Sequence, residues 1–428
     1  MTPQEQLAET VRVEGRRVLA TLVRTVGSLQ LAEDAVQDAV LTALRTWPQA
    51  GVPDNPRAWL TVTARNRAYD VLRREGARPV KELGARQEWP EPAVADPAQE
   101  VLEVIEPDSM VRDDLLRLVF TCCHPALSRE AQVALALRTL AGLDVAAIAR
   151  AFLVPEPTMA RRLVRARQKI AHARIPYRIP SDTELPERLP AVLAVVYLIA
   201  TEGHAPSSGD AVARVDLEVE AIRLARLLVE LMPGEAEVLS LLALLLFTHA
   251  RQAARTDAAG DPVLLADQDR SRWDHAAIGE GTRLLAAAVR RSGGVAGPYQ
   301  LQAHLASCHA TARTWADTDW NRIVACYDLI LTVSANPVVA LNRAVALSER
   351  DGPGAALSAV EEITGLSQSH LWHAARAQAL RRLGRESEAV EELGLAAGLA
   401  PTGPERRLLE RRLKETGQRA EIRDRERR

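Results

Sequence analysis

Residues 158–174 carry six basic side chains and no acid, a composition suited to binding a polyanion. At 100° per residue, the polar side chains fall on one helical face, opposite an apolar face that begins with Met159. The members of this basic face are Thr158, Arg161, Arg162, Arg165 and Lys169. Guanidinium groups can bind guanine edges or phosphates, so the face is suited to the major groove of DNA. The alternative is a solvated basic face on a helical hairpin.

The residues before this basic face complete a helix–turn–helix pattern. A first helix is predicted from about residue 144 to residue 152, with Asp144 as its N-cap. A turn containing Pro155 and Pro157 follows, and the second helix begins at Thr158. In helix–turn–helix proteins the N-terminal residues of the second helix approach the major groove first, so this segment is predicted to bind DNA.

A second basic segment, residues 56–74, contains five arginines and one aspartate. Leu60, Ala64 and Ala68 lie on its apolar arc, whereas Trp59 lies in the middle of the polar arc. The other polar-arc residues of interest are Thr63, Asn66, Arg67, Arg73 and Arg74. An aromatic ring among arginines is either a binding surface or a side chain covered by a neighbouring helix, and the pattern leaves both open.

The charge distribution divides the N-terminal part of the chain. The net charge is only −2, but residues 82–114 hold ten acids and two arginines, between the two basic segments. We therefore predict helical domains at residues 1–75 and 111–175, joined by an acidic, proline-containing linker at 76–110.

Composition bounds the class of protein. The 428 residues are rich in Ala, Leu, Arg and Glu and poor in aromatics, which predicts an all-α fold. The N-terminus lacks the apolar core of a signal peptide, and the apolar runs are too short to span a bilayer. Four cysteines without a disulfide framework indicate a reducing compartment, so we expect a cytoplasmic protein with no membrane association. No nucleotide-binding or metal motif occurs, and we expect neither a cofactor nor a metal.

Residues 176–428 are predicted to form a helical extension. Near 336–405, small residues, turns and a proline recur at the spacing of tetratricopeptide (TPR) repeats, as in Ala377, Gly384, Ala389 and Pro401. Repeats of this kind are suited to binding a protein or peptide partner.

Taken together, the chain resembles a bacterial RNA polymerase sigma factor of the extracytoplasmic-function (ECF) type, within the sigma-70 family. The stretches AEDAVQDAVLTALRTW (32–47) and NPRAWLTVTARNRAYDVLRRE (55–75) resemble sigma region 2. GLDVAAIARAFLVPEPTMARRLVRARQKI (142–170) resembles the helix–turn–helix of sigma region 4. The remainder resembles the TPR-like extension of one subgroup.

The resemblance implies a role for each segment and two partners, core RNA polymerase and promoter DNA. Region 2 would melt the −10 element, where Trp59 would support an unstacked base and Asn66 would bond a flipped base edge. The basic face of region 4 would recognise the −35 element. An acidic and apolar stripe would bind polymerase: Glu33, Asp34, Gln37, Asp38 and Leu41. Without the resemblance, that stripe would be interpreted as a solvated acidic face.

The predicted function is a non-catalytic specificity subunit whose C-terminal extension modulates it. Three alternatives stay open at this stage. The chain could be an operator-binding regulator that dimerises through its repeats, an enzyme with a site in residues 180–330, or a helical scaffold with no DNA role.

Overall fold

The fold was examined in a computed structural model, which describes residues 2–82, 108–140, 142–152, 154–173, 175, 184–206 and 211–427. These residues form α-helices and short 3-10 helices without a β-strand, which confirms the predicted all-α fold. The chain divides into two compact units, Met1–Val195 and Val196–Arg428. Within the described ranges, no helix has both the length and the apolar character needed to cross a membrane.

The first unit begins with a three-helix bundle. Its helices are α1 (Pro3–Val26), α2 (Leu29–Ala50) and α3 (Pro56–Glu82). Gly27 ends α1 in the left-handed conformation at φ +69°, which favours glycine because it has no Cβ. The Ser28 hydroxyl then caps α2. The break near Gly27 matches the sequence pattern, although α2 begins earlier and ends later than the pattern predicts.

Small side chains bring the helices of this bundle close together. Ala32, Ala35, Ala39 and Ala43 recur at three- or four-residue spacing along α2, and each is at most 2% exposed. Because α2 contacts both α1 and α3, this alanine stripe leaves the polar sides of α2 and α3 facing solvent.

A second group of helices in the first unit contains the helix–turn–helix. These helices are α4 (Asp108–Cys122), α5 (Arg129–Thr139), α6 (Val145–Ala151) and α7 (Glu156–His172). Asp144 caps α6 as predicted, since its carboxylate accepts a hydrogen bond from the Ala147 amide at 2.6 Å. Helix α7 begins at Glu156, two residues before the predicted start at Thr158. Its buried face contains Met159, Leu163, Ala166 and Ile170.

Helices α3 and α4 extend into the segment predicted as a linker. Helix α3 continues to Glu82, and α4 begins at Asp108, so the described ends of the segment 76–110 are helical. Residues 83–107, which hold most of the predicted linker, lie outside the described residues.

The remaining helices form the C-terminal extension. They are α8 (Leu185–His204), α9 (Val215–Leu231), α10 (Ala236–His249), α11 (His275–Arg291), α12 (Pro298–Thr311), α13 (Trp320–Val333), α14 (Pro337–Arg350), α15 (Pro353–Glu361), α16 (His370–Arg382), α17 (Glu386–Leu399) and α18 (Gly403–Arg427). In the second unit, α10 is central and contacts α9, α11 and α12. From α13 onwards each helix contacts the next along the chain, as expected for stacked helical repeats.

Candidate nucleic-acid interface

Trp59 lies at the interface between α2 and α3. Its indole packs edge-on against that of Trp47, with ring centroids 5.5 Å apart. Trp47 is fully buried, whereas Trp59 is only partly buried. Trp59 therefore combines the two interpretations that the sequence left open: a neighbouring helix covers one edge of the ring, and part of the ring meets solvent.

The polar sides of α2 and α3 enclose a cleft of about 520 Å³. Thr63, Asn66 and Arg67 line it from α3, and Asp38 and Leu41 line it from α2. The structure thus brings together residues that the sequence assigned to two different partners, DNA and polymerase.

The arginines of α3 differ in their partners. The Arg67 guanidinium Nε lies 2.6 Å from Asp38 Oδ2, and this hydrogen bond raises the pKa of Arg67. Arg73 pairs with Asp70 on its own helix, and Arg74 is exposed. Both ion pairs are largely exposed, and such pairs contribute about 0–1 kcal/mol. A phosphate can therefore displace either carboxylate at little cost.

The basic face of α7 is open to solvent over much of its length. Arg161, Arg165 and Lys169 are exposed, and Thr158 is partly buried near the helix start. Arg162 is also partly buried, because its guanidinium lies 5.7 Å from the centre of the Phe152 ring. Helix α7 thus presents three exposed cations on the side opposite its apolar core.

Sequence reasoning missed an ion pair between α2 and α7. Arg167 Nε lies 2.7 Å from Glu33 Oε2, and Arg167 Nη2 donates to Glu33 Oε1 at 3.2 Å. The two side chains are only 19% and 13% exposed. A usable signal was the position of Arg167 at the edge of the apolar stripe, one residue after Ala166, where it points towards a neighbouring helix.

This ion pair separates the members of the predicted polymerase-binding stripe. Glu33 has both carboxylate oxygens engaged by Arg167, whereas Asp34 and Gln37 are exposed. Leu41 is also 50% exposed, which is unusual for a large apolar side chain on a packed helix. The outer part of the stripe is accessible, and its first member is not.

A second ion pair joins the two groups of helices in the first unit. Arg24 Nε of α1 lies 2.9 Å from Asp114 Oδ2 of α4, and the Asp114 side chain is fully buried. Asp114 belongs to the acidic run that the sequence predicted to be a solvated linker. It instead supplies a buried carboxylate that binds α1 to α4.

Comparisons with known proteins match these two groups of helices. Sigma-70 region 2 matches residues 10–78, which fall in α1–α3, and Sigma-70, region 4 matches residues 117–170, which fall in α4–α7. Residues 188–289 match a family of unknown function, DUF6596. The chain belongs to the sigma-70 family, as an ECF-type sigma factor with a C-terminal extension.

A relative supports the match over nearly the whole length. An uncharacterized protein of Rhizobium meliloti (strain 1021) is 42% identical over 393 residues, which cover 91% of this chain and 90% of the relative. No solved structure matches the chain significantly. Sigma-70 proteins are non-enzymatic transcription factors, and the partners of their domains are core RNA polymerase and promoter DNA. The chain is therefore a sigma factor for transcription initiation.

Proposed function

We propose that the two basic helical surfaces hold one promoter at two places. The basic face of α7 binds the −35 element, and the polar arc of α3 captures the melted −10 element. The observation that supports this most is the exposure of Arg161, Arg165 and Lys169 on a helix within the matched region 4. In helix–turn–helix proteins this helix enters the major groove.

We propose further that Trp59 stacks on a base of the separated strand. Asn66, Thr63 and Arg67 line the adjacent cleft, which offers an amide and a hydroxyl for a base edge and a cation for a phosphate. Arg73 and Arg74 extend the cationic surface along α3. This combination of an aromatic ring and flanking cations is typical of single-strand binding surfaces.

In this proposal, polymerase binds the outer part of the α2 stripe. Asp34, Gln37 and Leu41 offer a carboxylate, an amide and an apolar anchor on one exposed face. Asp38 and Glu33 contribute only where their arginine partners are exchanged, because each carboxylate is already paired.

Removing two cations from α7 tests the −35 assignment. We expect the double substitution Arg161→Ala and Arg165→Ala to weaken promoter binding by the polymerase complex, and to lower its salt dependence by about one unit per phosphate contact. Binding is measured at several salt concentrations on a promoter that the wild-type complex uses. The matched control is Arg290→Ala with Arg291→Ala, in α11 of the extension. Equal losses in the two double variants would contradict the assignment.

We also propose that the C-terminal extension modulates initiation, as a surface that binds a protein or peptide partner or contacts polymerase. Support comes from the successive packing of α13–α18, which is typical of repeat proteins that bind such partners. A chain ending at residue 175 should initiate transcription at a rate different from the full chain, once circular dichroism shows that it is folded. Equal rates from the two folded proteins would rule out modulation by the extension alone.

A further inference from the structure

A buried carboxylate in the second unit is shared by two histidines. Glu218 of α9 is 3% exposed. Its Oε1 lies 3.1 Å from His204 Nδ1 at the end of α8, and its Oε2 lies 2.6 Å from His249 Nδ1 at the end of α10. The sequence gave no sign of this cluster, because the histidines stand 14 and 31 positions from Glu218 and meet it only in the fold.

The cluster borders a cavity of about 180 Å³. Ile222, Leu244 and Leu245 form apolar walls, and both imidazoles line the polar end. Pockets for drug-sized ligands usually measure about 300–1,000 Å³. The volume of this cavity therefore fits a small molecule with an apolar body and one polar group.

The backbone around the cavity is built for close contact between α8 and α9. A Cβ on Gly203 would lie 2.7 Å from the Glu218 amide nitrogen, so only glycine fits at this position. The Gly203 carbonyl also accepts a hydrogen bond from the Arg214 amide at 2.7 Å. These contacts place His204 directly beside the buried carboxylate.

The hydrogen bonds fix the orientation of both imidazoles. Because each Nδ1–H donates to Glu218, the Nε2 atom of each ring is left for another partner. Each histidine side chain is 26% exposed. Burial, against the opposing hydrogen bond from Glu218, lowers the pKa of His204, and Arg255 and Arg251 lower it further.

The surrounding charges favour an anion in the cavity. Arg255 Nη1 lies 3.8 Å from Glu218 Oε1, and Arg251 makes no side-chain hydrogen bond or ion pair within the described parts of the chain. Burial and the neighbouring Arg255 lower the pKa of Arg251 to about 10. With both imidazoles neutral, one carboxylate thus faces two guanidiniums, and the Tyr197 phenol completes the ionisable groups around the cavity.

We propose that this cavity binds a small organic monocarboxylate, with the carboxylate at the His204 and His249 imidazoles and the apolar body between Ile222 and Leu245. On binding, one imidazole takes up a proton from solvent, donates its Nε2–H to the ligand and keeps its Nδ1–H on Glu218. The site lies in residues 188–289, outside both sigma regions, and does not depend on the promoter contacts.

Titration calorimetry on the full chain tests the ligand class. The probes are butyrate, isovalerate, hexanoate and benzoate, each compared with its neutral amide and its primary amine. We expect at least one carboxylate to bind with a dissociation constant of about 1 mM or tighter, and its amide and amine to bind at least about tenfold more weakly. Absence of binding by every carboxylate, or equal binding of an amide or amine, would overturn the proposal.

Two variants locate the site. His249→Leu removes one imidazole, and Ile222→Phe fills the cavity while leaving the cluster intact. Each should reduce the association constant of the bound carboxylate at least about tenfold, whereas the exposed control His275→Leu should leave it unchanged. Thermal unfolding identifies any variant that fails to fold, in which case Ile222→Phe decides. Unchanged affinity in folded Ile222→Phe would show that the carboxylate binds elsewhere.

Discussion

At the scale of single residues, the region-2 surface depends on how an aromatic side chain can be both anchored and available. Trp47 packs against one edge of Trp59 and fixes its orientation, while the rest of the ring meets solvent. A ring held in this way loses little side-chain entropy when a base stacks on it. The same packing explains why the chain tolerates an indole among arginines.

Substitution of Trp59 tests this role. We expect Trp59→Ala to reduce open-complex formation about 5- to 100-fold, because base–aromatic stacking contributes about 1–3 kcal/mol per base. Fluorescence of 2-aminopurine placed in the −10 element reports melting. Trp59→Phe serves as the control, since it keeps an aromatic ring and should lose less. Melting by Trp59→Ala at the wild-type level would refute stacking at this position.

Residue spacing predicted some of these features and could not predict others. The basic face of α7 follows from a period of 3.6 residues, so the exposed positions of Arg161, Arg165 and Lys169 were visible in the sequence. The pair of Glu33 and Arg167 was not, because 134 positions separate its members and only the packing of α2 against α7 brings them together.

At the scale of helices, local signals set the boundaries and tertiary contacts set the faces. Gly27 and Ser28 determine where α1 ends and α2 begins, and both signals are readable in the sequence. Asp114 looked like part of a solvated acidic run, yet it is buried beside Arg24. A charge pattern cannot show which acid a neighbouring helix will cover.

The ion pair between α2 and α7 has a measurable stability contribution. Hydrogen bonds that involve charged groups contribute about 1.5–3 kcal/mol, and this pair is mostly buried. We therefore expect a double-mutant cycle of Glu33→Gln and Arg167→Gln, followed by chemical unfolding, to give a coupling of about 1–3 kcal/mol. The parallel cycle with the exposed Arg165→Gln should give a coupling near zero. Equal couplings in the two cycles would mean that the pair adds no specific stability.

At the scale of the whole molecule, the chain combines two sigma regions with a helical extension larger than either. The sigma regions lie in the first unit, Met1–Val195, and most of the extension forms the second unit, Val196–Arg428. The order of the segments was predictable because each carries its own motif. The cluster around Glu218 was not predictable, because its residues come from three helices that carry no shared motif.

Transcription in vitro tests the central claim most directly. Purified core RNA polymerase is incubated with genomic fragments from the source organism, with and without the full chain, and the 5′ ends of the transcripts are sequenced. We expect new start sites that share two upstream elements at a fixed spacing only when the chain is present. No new start sites with the chain present, or tight sequence-specific duplex binding by the chain without polymerase, would contradict a sigma-factor role.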